Sequence, residues 1–125
     1  MKGFGPKPKF IRRKRLEKTT EQAAIDFAKA EGVLSRKMNG ASFRAWPDRA
    51  FMPPELESGK WEAAMPILWV EFKREGQDLT PAQADLHAVL RKAGQRVCTC
   101  HTLDEFKQHF CAYMSDDLGL EDYRL

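Results

Sequence analysis

Apolar positions along this chain fall into blocks of different period. Ala24, Ile25 and Ala28 recur at helical spacing and predict a helix over residues 20–31, opened by Thr19 and Gln22 as a capping box and stopped by Gly32. Val33–Met38 reads as a short strand, followed by a polar loop from Asn39 to Arg44. Asp48–Met52 and Pro66–Arg74 are two more strand-like runs; Pro53, Pro54 and the Ser58-Gly59-Lys60 turn between them make a loose hairpin. Thr80, Pro81 and Gln83 then supply an N-cap, an N1 proline and an N3 glutamine for a helix carrying Leu86, Val89 and Leu90 to a stop at Gly94. Gln95–Cys100 is a strand, and Thr102 with Glu105 opens a last helix bearing Leu103, Phe106, Phe110 and Met114.

The order helix, three strands, helix, strand, helix predicts an α/β fold, a mixed central sheet flanked by helices. A strand–helix–strand crossover sets strand 95–100 parallel to strand 66–74. With 125 residues, 42% of them hydrophobic, the chain fits one compact domain. We place it at residues 19–114, between a basic arm at 1–18 and an acidic tail at 115–125 that frays. Gly3, Gly5, Pro6 and Pro8 make the arm extended, turning helical near Arg12, Arg13, Lys14 and Arg15.

Charge changes this picture. The arm holds eight basic residues against Glu17 alone, a net +7, whereas the remainder carries −4, so the overall +3 conceals a cationic segment on a mildly acidic body. Such a segment suits a polyanion, because each phosphate it neutralises releases condensed counterions; DNA is the expected partner. No apolar run is long enough for a membrane span and the N-terminus has no secretory h-region, so a cytoplasmic protein is expected. Its three cysteines, two of them separated by a single residue, do not suggest a disulfide framework.

In Ile67-Leu68-Trp69-Val70-Glu71-Phe72-Lys73, alternation puts Ile67, Trp69, Glu71 and Lys73 on one face and Leu68, Val70 and Phe72 on the other. A strand apolar on both faces belongs inside a sheet, where a carboxylate and an ammonium are costly unless compensated. Facing residues of an antiparallel pair have a constant index sum, so a hairpin turning between Gly59 and Lys60 sets Asp48 opposite Glu71. Two converging carboxylates repel, and a hard divalent cation such as Mg²⁺ or Mn²⁺ relieves that repulsion through oxygen ligands. With Lys73 two residues on, the set suffices for phosphodiester hydrolysis: the cation activates water and the ammonium orients it or stabilises developing charge.

Pro47-Asp48 followed by Glu71-Phe72-Lys73 resembles the signature of the PD-(D/E)xK nuclease superfamily. Leu79-Thr80-Pro81-Ala82-Gln83, then His87, Leu90, Ala93 and Gly94 before a β-run, looks like the VRR-NUC (virus-type replication-repair nuclease) family. The resemblance spans roughly residues 20–107. It implies a restriction-endonuclease-like core, dependence on Mg²⁺ or Mn²⁺, and endonucleolytic cleavage of branched or structured DNA in phage or DNA repair settings. It also implies homodimers akin to Holliday junction resolvases. Carried over, it makes Asp48, Glu71 and the Phe72 carbonyl metal ligands, Lys73 the catalytic lysine, and Gln83 the glutamine after the core motif. Glu21 takes the first-helix acidic position, as a metal or neighbouring contact, and Lys37 a basic position that touches phosphate. Ala45 departs from the glycine usual two residues before the Pro-Asp pair, which bears on loop geometry and substrate preference.

Other chemistries find less support. Cys98, Cys100 and His101 invite a zinc reading, but no second Cys or His pair has finger-like spacing, and the cysteines read as small buried hydrophobes. His87 and His109 have no nucleophile beside them in sequence, and there is no Walker glycine loop. The rival reading is a non-catalytic DNA-binding or assembly protein that uses the arm to grip phosphate. An RNA nuclease on the same scaffold is a third, because these motifs act on phosphate and do not read the sugar.

Overall fold

The computed structural model describes residues 9–40, 44–52 and 67–117, with side chains of the first helix described from residue 18 onward. Helix α1 (Lys9–Ala30) is followed by strands β1 (Ser35–Lys37), β2 (Arg49–Phe51) and β3 (Leu68–Phe72), helix α2 (Pro81–Lys92), strand β4 (Arg96–Cys100) and helix α3 (Leu103–Ala112), which runs into a π-helical turn at Tyr113–Asp117. The sheet has four strands in the order β1-β2-β3-β4. β1–β2 and β2–β3 are antiparallel and β3–β4 is parallel, as the crossover through α2 requires.

The alternation in β3 divides the molecule into two apolar cores. Leu68, Val70 and Phe72 point to one side and pack with Phe51, Cys98 and Cys100 beneath Ala24 and Ala28 of α1 and Phe106 and Phe110 of α3. Trp69 points to the other side and packs with Ala50, Val97 and Leu90 of α2, joined by Leu86, Trp46 and Met38. A sheet covered on both faces explains why β3 is buried along its whole length.

Local chemistry sets the element ends. At the end of α1, Gly32 adopts φ 83°, its N–H bonds the Lys29 carbonyl at 3.0 Å and the Val33 N–H bonds the Ala28 carbonyl at 2.8 Å, a Schellman closure that needs a left-handed residue. Val33 is thereby committed to the cap, so β1 starts at Ser35 and is shorter than the expected Val33–Met38 run. Gly94, φ 85°, closes α2 in the same way, with the Gln95 N–H on the Leu90 carbonyl at 3.0 Å. The Thr80 capping box at the other end of α2 forms as its sequence predicts.

Two expectations are corrected. The first helix begins at Lys9, ahead of both residue 20 and the expected limit of the arm, so Thr19 and Gln22 lie inside it and cap nothing; Gln22 instead donates to Asp26 one turn on, at 3.0 Å. The cause is that residues 9–31 contain neither proline nor glycine, and the Lys, Arg, Leu and Glu of the basic stretch are good helix formers. The backbone at Arg12, Arg13, Lys14 and Arg15 is therefore helical. At the other end, the acidic segment does not fray at once: Asp117 accepts from the Arg96 guanidinium, one bond being Arg96 Nη2 to Oδ1 at 3.0 Å. Residues 118–125, and the hairpin turn at 53–66, lie outside the described residues. Among the described residues, no helix is long and apolar enough to cross a membrane.

Phe106 has no exposed surface and meets the rings of Phe27, Phe51, Phe72 and Phe110. Phe106→Ala should lower unfolding free energy in urea by about 3–5 kcal/mol. Val89→Ser, at a position 59% exposed, should stay within about 0.5 kcal/mol of the parent.

Candidate active site

The pairs Arg49–Val70, Ala50–Trp69 and Phe51–Leu68 fix the β2–β3 register, and one step beyond them Asp48 and Glu71 face each other, as the sequence predicts. Ala50 and Trp69 belong to the α2-side core, so the alternation carries Asp48 and Glu71 to that side as well. Pro47 is fully buried, and the Trp46 ring meets that of Trp69 at a tilt, 5.4 Å centroid to centroid, which pins the chain immediately before Asp48.

Asp48 is held by what it accepts. The Phe72 N–H donates to its Oδ2 at 2.6 Å, and the Asn39 side-chain amide donates to Oδ1. Burial raises its pKa above the ordinary value of 3.8, opposed by the Phe72 N–H and by a hydrogen bond with Glu71; the charge of Glu21 raises it further and that of Lys37 lowers it. Glu71 itself is only 3% exposed. Two carboxyls thus share one buried place, an arrangement that calls for a proton or a cation between them.

Around this pair the structure distributes the remaining predicted residues unevenly. Lys73 lies just beyond β3, half-buried, with its N–H on the Cys100 carbonyl at 2.9 Å. Phe72 is bound to Asp48 through its backbone. Glu21 lies on the α1 side, where the Arg49 guanidinium donates to its Oε2 at 2.7 Å; it reaches Asp48 as a neighbouring charge. Gln83 uses its carbonyl oxygen to accept the Thr80 N–H at 2.9 Å, the capping role of an N3 glutamine.

Lys37 lines two clefts, one of about 210 Å³ with Lys18, Glu21 and Arg49, and one of about 340 Å³ with Asn39, Gly40 and Arg44. The second is linked to Asp48 through the Asn39 amide and is lined by the cations Lys37 and Arg44. Side chains of Arg12, Arg13, Lys14 and Arg15 lie outside the described residues.

Two contributors were not singled out from sequence, and a third, His87, stood there among the residues that carry the family resemblance. Asn39 stood there only as the first residue of a polar loop, and no periodicity marks a loop donor. Arg49 fills the α1-side position of β2 and holds Glu21. His87 is completely buried, and neither ring nitrogen has a hydrogen-bond partner among the described residues. Burial lowers its pKa, aided by the charges of Arg91 and Lys73, so its imidazole is neutral. Its spacing to Leu90 and Gln83 on α2 was the available signal, since those offsets share a helix face.

No family model matches the chain, and no curated protein is found to be similar to it. Among solved structures, a VRR_NUC domain superposes with a TM-score of 0.60 at 24% identity, over 76% of this chain and 94% of that one. The likeness is one of fold, and the resemblance read from the sequence holds at that level: this mixed sheet with its flanking helices is the fold of the VRR_NUC domain.

The raised pKa of Asp48 has a definite sign. Its folded-state preference is for the protonated carboxyl, so its contribution to stability is complete below 3.8 and is lost as pH rises through the higher folded-state value. In EDTA, the melting temperature of Asp48→Asn minus that of the parent should therefore grow more positive from pH 3.8 toward neutrality. A difference that stays flat would show that the carboxyl is not buried against Glu71 as described.

Proposed function

We propose that this chain is a divalent-metal-dependent endodeoxyribonuclease of the VRR-NUC type, which hydrolyses phosphodiester bonds in branched or structured DNA, as a Holliday junction resolvase does. The observation that carries the reading is the buried pairing of Asp48 with Glu71 across β2–β3, on a fold shared with a VRR_NUC domain.

The donor set fits a hard cation, because a half-buried aspartate facing a buried glutamate supplies the carboxylate oxygens such an ion takes. Asp48, Glu71 and the Phe72 carbonyl would hold Mg²⁺ or Mn²⁺, and Glu21 stands behind them on the α1 side. Bound there, the ion supplies Lewis-acid polarisation of the phosphate and acidifies water.

The chain's own residues do the rest. The Phe72 N–H and the Asn39 amide fix the Asp48 carboxylate before substrate arrives. Lys73 offers an ammonium to orient the attacking water or to meet charge developing on the phosphate. Lys37 and Arg44, in the cleft next to Asn39, suit the flanking phosphates. The basic stretch of α1, including Arg12, Arg13, Lys14 and Arg15, supplies a sequence-independent grip that weakens with salt. Two copies of the site in a homodimer would suit symmetric nicking of a four-way junction.

The test is cleavage of labelled four-way junction, flap, single-stranded and linear duplex DNA, with matching RNA, in Mg²⁺, Mn²⁺ or EDTA. Cutting should need the metal and favour branched DNA. Lys73→Ala and Asp48→Asn should each lower the rate by about 100-fold or more while DNA binding persists. If the parent binds all these substrates and cuts none, the chain is a non-catalytic DNA-binding protein on a nuclease fold. A protein that sediments as a monomer at assay concentration would exclude the dimer.

A further inference from the structure

On the opposite face of the sheet from the carboxyl pair, β4 presents Cys98 and Cys100 two residues apart toward α3. Both are buried and both are free thiols. Their sulfurs lie 3.8 Å apart. His109 of α3 comes down on them, so that a ring nitrogen and the two sulfurs all lie within 4.8 Å of one another. His101, the histidine nearest in sequence, is occupied elsewhere: its Nδ1 meets Glu105 and its Nε2 the Gln77 carbonyl, each at 3.1 Å.

Packing alone accounts for two small thiols in a core. It does not account for an imidazole delivered to the same point by a different element. Two thiolates at about 2.3 Å from a tetrahedral Zn²⁺ stand about 3.8 Å from each other, the separation found here before any ion is added. We propose that Cys98, Cys100 and His109 form a soft-metal site that takes Zn²⁺, with water in the fourth position.

The site is chemically distinct from the one formed by Asp48 and Glu71. Thiolate and imidazole select a borderline-soft ion, whereas Mg²⁺ and Mn²⁺ take oxygen ligands. Binding sends the two thiol protons to solvent and leaves two thiolates that neutralise the dication, with a neutral imidazole as third ligand. The imidazole is already in that form: burial lowers the His109 pKa, and the nearby Arg96 lowers it further. The thiols must be drawn out of theirs, because their mutual hydrogen bond and burial hold Cys98 well above the usual range. The ion would tie α3 to β4, the strand whose Cys100 carbonyl accepts from Lys73.

The full chain, reduced with a phosphine and freed of metal with EDTA, is titrated with Co²⁺ and followed by absorption. Thiolate-to-cobalt charge transfer and the intense d–d bands of a tetrahedral ion should saturate at one equivalent, disappear on adding Zn²⁺ and persist in excess Mg²⁺. Cys98→Ser with Cys100→Ser should abolish them, and Cys111→Ser should not. His109→Gln, at a partly exposed position, should weaken Co²⁺ binding by at least about tenfold, the loss that disturbing even an outer partner of a ligand can cause. Absence of the charge-transfer band, its survival in the double cysteine variant, or an unchanged affinity in His109→Gln would each overturn the site. Should the double variant fail to fold by circular dichroism, the His109→Gln titration decides alone.

Discussion

Asp48 and Glu71 meet because β2 and β3 pair in one register, and most of what surrounds them serves to keep that register. A slip by one residue would move Glu71 to the apolar side under α1 and α3, and would bring Phe72 to the α2 side. The two cores forbid it together. Phe51, Leu68, Val70 and Phe72 fill one face and Ala50 and Trp69 the other, so no shifted pairing satisfies both. The charge chemistry is thus secured by apolar residues that take no part in it. The opposition of two buried carboxyls is tolerated because the packing on either side leaves them nowhere else to be.

The same economy governs the shell around Asp48. A buried carboxyl facing another acid would swing away if it had other partners to find, yet the Phe72 N–H and the Asn39 amide hold both of its oxygens. Pro47 and the Trp46–Trp69 ring contact fix the backbone that presents it. Glu21, on the far face, is compensated by Arg49 and adds negative potential across the sheet without joining the pair. A cation bound at this point, as proposed, would meet charges arranged before it arrives.

The strands and their faces were legible in the sequence because period-two alternation and a constant index sum are backbone properties that survive without tertiary information. The capping box of α2 and the Thr102 cap of α3 were legible for a similar reason, since the hydrogen bonds that define them lie within four residues; Glu105, the expected partner in a second box, instead accepts from the His101 N–H at 2.6 Å. The start of α1 was misplaced because a capping-box pattern at Thr19 was read as a boundary. A local cap cannot compete with an uninterrupted run of helix formers extending to Lys9. Asn39 and Arg49 act across 9 and 28 residues, so nothing near them in the sequence announced their partners, and the His87 imidazole is distinguished by its burial. Gln83 shows the converse, a residue with two sequence roles of which the structure displays the local one. The sequence weighs His109 only as a partner for a nucleophile, because Cys98 and Cys100 lie on the preceding strand. Its relation to Cys98 and Cys100 depends on how α3 folds back over β4.

One strand pair therefore carries two unlike donor sets. Along β3 and β4, Val70 faces Cys98 and Phe72 faces Cys100, so the residues that present thiols on the α3 side are paired with the strand that presents Glu71 on the α2 side. Alternation keeps the sets apart by the thickness of the sheet, and hardness would keep the proposed ions apart: carboxylate oxygens suit a hard, hydrated cation, sulfurs and an imidazole a softer one. The link between them is mechanical, through the hydrogen bond from the Lys73 N–H to the Cys100 carbonyl at 2.9 Å. Whatever steadies β4 beneath α3 also steadies the backbone from which the Lys73 ammonium departs. The position of that ammonium relative to Asp48 and Glu71 therefore depends on both faces of the sheet at once.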